Sequence, residues 1–307
     1  MTCRDSFRVN HSALTNEDLR RADAIPHKPE MMAEGHTVGL RAILEFHNWC
    51  VLPALNTLVN PTPRELALKL LYGRIRLLAD TLLVLRNVRH FQSIVGASRT
   101  AIELYIDMHL LARNAIENGS EKFFAFDRVQ RLKAARRMVE FHDRYPNLRE
   151  RGVDTFRTFI AAQGAAIDAE RVRLWGEGAR PDHWTNINFY QRPNDLGQEF
   201  QRLVNDGYDY RNWQLHSGAA GVNGLTDETL TALSANALHV VHTVAIGSLE
   251  LIATELRVRQ SIENFAVRLE DLRLIPGLVL ADIRLQSVGE PQRVFITHPR
   301  PVAAAPA

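Results

Sequence analysis

The stretch Tyr208-Asp-Tyr-Arg-Asn-Trp-Gln-Leu-His216-Ser-Gly218 places an arginine, an asparagine, a histidine and three aromatics within about two helical turns. A histidine titrates near neutral pH and can give or take a proton. Helical geometry advances about 100° per residue, so Asn212 and His216 share a face. The long stem of Arg211 lets its guanidinium swing to the same side. There it can hold a phosphate or carboxylate while a proton moves. Tyr208 and Tyr210 add hydroxyls or stacking planes. The structural alternative is equally concrete: a histidine near a helix end is a good hydrogen-bonding cap through its two ring nitrogens.

A second constellation lies upstream. Arg99, Glu103 and Asp107 are spaced four apart and share one face of a helix that is otherwise apolar almost all round. Such a helix is expected to be buried, and buried charges must be paired. Glu103 is expected to meet Arg99, Arg211 or His216. Against His216 it would hold the tautomer and raise the basicity of the imidazole. The alternative is a polar network that only joins two helices. Trp184 sits in the loop Pro181-Asp-His-Trp-Thr185. A loop tryptophan normally covers a core edge, and together with Tyr208 it is the candidate substrate-binding residue.

Other motifs carry less. His239 and His242 are three apart, as helix-borne metal ligands can be, but no cysteine or acid completes a set, so no metal is expected. The chain shows no glycine-rich phosphate loop and no nucleophile elbow, and no cofactor is expected. The basic run Arg128, Arg131, Lys133, Arg136 and Arg137 has the chemistry to touch a nucleic-acid backbone. Glu121, Asp127 and Glu140 balance it as a solvated helix face.

The elements that must position these groups read as helices. The chain has 307 residues, 46% hydrophobic and 23% charged, within the ordinary globular range. Its net charge of +2 sets up no strong field toward nucleic acid or membrane. Positive charge is almost wholly arginine, whose planar fork favours anionic partners. Cys3 and Cys50 make no disulfide framework, and reduced thiols in a cytoplasmic protein are expected. The N-terminus lacks the apolar core of a signal peptide. The apolar run 238–256 carries His239, His242 and Glu250, which predicts a buried core helix and not a membrane span.

Residues 1–34 are expected to form a flexible arm with one helical turn at 16–24. A helical domain is expected over 35–265. Within it a first helix covers 35–59 and is kinked by Pro53. Thr62, Pro63 and Glu65 spell a capping box opening a helix over 63–86. Further helices follow over 88–114, 121–144 and 148–175, the last reaching away from the body. A loop covers 176–194, a short helix 196–204, and Thr226 caps a long helix to about 262. Pro276-Gly277 among apolar residues, with the β-like run 293–297, predicts a small β appendage over 266–298. A disordered tail is expected over 299–307. The fold class is therefore mainly α, a multi-helix bundle with a small C-terminal β appendage.

Three places resemble the DUF5677 family of uncharacterised helical proteins. Ser98-Arg99-Thr100-Ala101-Ile102-Glu103-Leu104 is similar to the family's arginine–x3–glutamate helix, and His183-Trp184-Thr185 to its tryptophan loop. Tyr208 to Gly218 is similar to its tyrosine, small polar residue and histidine before a small residue. The resemblance covers roughly 60–255 and implies a mostly α domain without a known reaction. Arg211-Asn-Trp-Gln-Leu-His216 also resembles the arginine–x4–6–histidine pattern of HEPN domains. That likeness implies a helical bundle, often a homodimer, acting on RNA without metal in toxin–antitoxin or defence systems. His216 would be the acid/base, Arg211 would stabilise the charged phosphorus transition state, and Asn212 would orient either one. The alternative from a different class is a non-catalytic binding or scaffold module in which Arg99, Glu103 and His216 only hold helices together.

Overall fold

The computed structural model describes residues 8–9, 14–85, 87, 90–146, 152–205, 226–294 and 296–297. The chain is mainly helical, as its periodicity predicts. Helix α1 (Asn16–Asp23) opens with a capping box between Thr15 and Asp18. Helix α2 (Pro29–Phe46) runs into a π-helical turn, His47–Val51, and then into α3 (Leu52–Asn56). The predicted kink at Pro53 takes this form. Proline offers no N–H to the carbonyl four residues back, and the Leu52 amide reaches one residue further, to His47.

Helix α4 (Pro63–Val84) starts at the predicted capping box, Thr62 accepting from the Glu65 amide and Glu65 accepting from the Thr62 amide. Then come α5 (Phe91–Ala112), α6 (Gly119–Arg144) and α7 (Val153–Trp175). A 3-10 turn, Phe189–Asp195, leads into α8 over 198–205. Helices α9 (Asp227–Glu255) and α10 (Phe265–Gln286) complete the fold.

The core lies among α2, α4, α5, α9 and α10. Arg64 at the start of α4 donates to the Leu111 and Ala112 carbonyls at the end of α5 and pairs with Glu255 at the end of α9. Orphan carbonyls at a helix C-terminus are thereby satisfied by a cation, the favourable sign for the helix dipole. The same contact makes α5 and α9 parallel and α4 antiparallel to both. Helices α6 and α7 form an antiparallel hairpin around their own apolar cluster, Val129, Leu132 and Ile167. Helix α9 is long and apolar enough to cross a membrane by length and composition alone. Its apolar stretch is mostly buried inside the protein, as expected of a core helix.

Three expectations need correction. Residues 266–298 do not form a β appendage, because α10 runs straight through Pro276-Gly277. The proline removes the amide that would serve the Leu272 carbonyl, yet the helix continues past it to Gln286. Leu269, Leu272 and Ile275 recur at helical spacing and are all buried. Among the described residues the β structure is one two-residue antiparallel pair, Arg8 opposite Thr297 and Val9 opposite Ile296. Second, residues 14–34 carry α1 and the first turns of α2. Helix α1 packs on α10, with Ala22 beside Ala281 and Leu285, and with Asp18 paired to Arg293. Third, Cys50 is disulfide-bonded instead of a reduced thiol. Cys3, the other cysteine of the chain, lies outside the described residues.

Candidate functional site

Tyr208, Arg211, Asn212 and His216 lie outside the described residues, which break off after Asn205 and resume at Thr226. Of the expected centre, the described structure holds the α5 stripe and the tryptophan loop. On α5, Arg99 Nε lies 3.2 Å from Glu103 Oε1, the expected i, i+4 pair. The side chains keep 30% and 35% of their accessible surface. They are therefore half-buried and reachable from solvent, not sealed in the core as the apolar flanks predict. The reason is local: Ser98, Ala101 and Ile102 carry the buried face of this turn, and Arg99 and Glu103 flank it.

One turn further on, the stripe enters the interior. Asp107 is buried, and its carboxylate organises the loop between α7 and α8. Asp107 Oδ2 accepts from Trp184 Nε1 at 3.0 Å and lies 3.0 Å from His183 Nε2. Asp107 Oδ1 faces the buried Arg192 guanidinium at 3.6 Å. The Thr185 amide donates to His183 Nδ1 at 3.3 Å, and Thr185 Oγ1 lies 2.9 Å from the same atom. With Nδ1 accepting, the neutral ring carries its proton on Nε2 and donates to Asp107. Arg192 Nη1 also approaches His183 Nε2 at 3.1 Å.

Trp184 is 2% exposed and packs edge-on against Phe123. The prediction that it covers a core edge holds. For the substrate-binding role expected of it, the indole is enclosed among the described residues and its N–H is held by Asp107, while Tyr208 lies outside them. The Trp184 carbonyl in turn accepts from Trp175 Nε1 at 2.9 Å, tying the end of α7 to the same loop. Arg192 also donates to the Ile187 carbonyl and lies over the Phe189 ring.

Thr185, His183 and Asp107 fall in the order of a hydroxyl–imidazole–carboxylate relay. The arrangement does not work as one. Thr185 is buried, and its hydroxyl accepts the Ile187 amide at 3.2 Å, the bond of a local hydroxyl turn. Its bonds are spent within the loop, and these atoms serve to hold it. His183 and Arg192 were not singled out from the sequence. The signal was Asp107 itself: an acid on an apolar helix with no cation three or four residues away must find its partners in another segment.

The other polar clusters are structural. His36 lies 4.8 Å from His239 and 5.6 Å from His242 between ring centroids. Burial, and then the neighbouring imidazoles, push His36 down to about 4 and His242 down to about 3. Neutral rings are what a close helix contact requires. Among the described residues no group of three histidine, cysteine or acidic side chains is arranged to hold a metal ion. The basic run on α6 is paired largely across the hairpin, Arg128 with Glu170 and Arg136 with Asp168 on α7. Lys133 pairs with Asp182 in the following loop.

A helical bundle with an acid-centred network clamping one long loop defines the class: a mainly α protein with its polar residues gathered on α5 and on the segments that follow α7. The chain belongs to the DUF5677 family, described as a family of unknown function, whose model matches residues 65–229, more than half of the chain. That span includes the Arg99–Glu103 pair, the whole Asp107 network and the Tyr208–Gly218 stretch. No curated protein and no solved structure matches the chain.

Proposed function

We propose that this DUF5677 protein is a HEPN-like, metal-independent ribonuclease acting on RNA in the cytoplasm as part of a defence or toxin–antitoxin system. His216 is the acid/base, Arg211 stabilises the charged phosphorus centre and Asn212 orients them. The observation that carries this reading is the half-exposed Arg99–Glu103 pair on a helix whose other positions are mostly core. An acid and a guanidinium kept within reach of solvent there suit a site that must admit a substrate. The Arg211-x4-His216 spacing supports it from the sequence. A homodimer is the assembly that the HEPN likeness implies. Purified protein incubated with mixed RNA, with and without chelator, is expected to cleave in both conditions. His216→Ala should abolish cleavage while circular dichroism stays unchanged, and cleavage surviving that substitution would dispose of the proposal.

A second reading is favoured by the Asp107 network, whose buried side chains hold a loop in place: a non-catalytic binding or scaffold module. In that case His216→Ala lowers stability by about 1–3 kcal/mol, the cost of a buried partner left unsatisfied, and no activity is lost. Running denaturation and cleavage on the same variant separates the two.

A further inference from the structure

The hairpin of α6 and α7 encloses, with the loop that follows α7, a cleft of about 610 Å³. Its walls are arginine-rich. Lys133, Arg136 and Arg137 come from α6, Arg171 from α7 and Arg180 from the loop. The lining acids are Glu140 and Asp168, leaving three positive charges in excess, or two once Asp182, the partner of Lys133, is included. Val129 and Leu132 form an apolar floor.

The cations divide by what holds them. Arg136 bonds both oxygens of Asp168 from α6. Arg171 lies 3.7 Å from the same carboxylate and donates to the Ala179 carbonyl at 2.6 Å. Asp168 thus pins two guanidiniums on one side of the cleft, and those two arginines keep its carboxyl below the usual range. Arg137 and Arg180 are exposed, and among the described residues neither has a hydrogen-bonded carboxylate. Two unspent forks, from α6 and from the facing loop, therefore point to an anion between them, in a positive field held by the pinned pair.

We propose that this cleft binds a small phosphorylated molecule, its phosphate taken by Arg137 and Arg180 and its organic body lying on Val129 and Leu132. The volume falls within the range of small-molecule sites. Among the described residues no aromatic side chain lines the cleft, whereas single-stranded nucleic acid is gripped by stacking platforms along a groove, so the small ligand is favoured over an RNA strand. The site is separate from Arg99 and Glu103 and does not depend on the ribonuclease reading.

Inorganic pyrophosphate, the minimal probe, is titrated into the full chain by calorimetry at low and moderate salt. Saturable binding is expected. The double variant Arg137→Ala/Arg180→Ala should weaken it at least tenfold with an unchanged melting midpoint, since both side chains are exposed. Arg131→Ala removes the same kind of charge from α6 outside the cleft lining and should change binding less than twofold. No saturable binding, or an equal loss in the Arg131 control, overturns the proposal. So does a single-stranded RNA oligomer that binds through Arg137 and Arg180 while pyrophosphate neither binds nor competes.

Discussion

At the scale of single residues, Asp107 carries the most. It is the acceptor for Trp184 and His183 and the counter-charge of Arg192, all around one buried carboxylate. Removing one member of a buried charge pair costs more than the pair contributes, because the other charge stays behind without compensation. Asp107→Ala is expected to lower stability by about 3 kcal/mol. Urea unfolding followed by tryptophan fluorescence measures this, and a loss below about 1 kcal/mol would show that the loop does not depend on the carboxylate. Arg99 and Glu103, half-exposed, belong to the opposite regime, where the i, i+4 ion pair itself contributes only about 0.3–0.5 kcal/mol.

At the scale of elements, close approach decides where helices can cross. Helix α2 meets α9 and α10 through Gly35 and Gly39. A Cβ on Gly39 would lie 2.6 Å from His242 Nε2 and 2.9 Å from Pro276 Cγ. Gly39→Ala is therefore expected to destabilise by about 1–3 kcal/mol, as overpacked cores do. Gly73, inside α4, would meet nothing within 4 Å. There alanine only gains helix propensity, and Gly73→Ala should stabilise by up to about 1 kcal/mol. Thermal melts of the two variants should move in opposite directions; a shared direction would refute this packing. The crossing also accounts for α10. Its proline was legible in the sequence as a break, but Pro276 sits where α10 crosses Gly35 and Gly39 of α2, far earlier in the chain. No local pattern could announce that partner.

Across the described residues of the molecule, burial favours the neutral form of four histidines. Burial is the main cause at His36, His47, His109 and His242, with Arg76 adding to it at His47 and Arg113 at His109. Three are pushed to about 4 and His242 to about 3, from an ordinary value of 6.5. The unfolded chain takes up these protons near pH 6.5 and the folded chain only near 4, so unfolding absorbs protons in between. Stability is full above pH 6.5 and falls as the pH drops toward 4, each group adding a slope of up to about 1.4 kcal/mol per pH unit. Melting midpoints at pH 7.5 and 5.0 should differ by many degrees, and equal midpoints would contradict the burial. The sequence by itself determined the run of helices, the capping box at Thr62, the N-cap at Thr226, the Arg99–Glu103 pair and the covered tryptophan, because caps and periodicity act between neighbours in the chain. Only the tertiary structure decided that α10 crosses its proline, that Asp107 and not Glu103 is the buried acid, and that the basic face of α6 lines a cleft. Each of these depends on partners brought together from distant segments, whose identity no local spacing encodes.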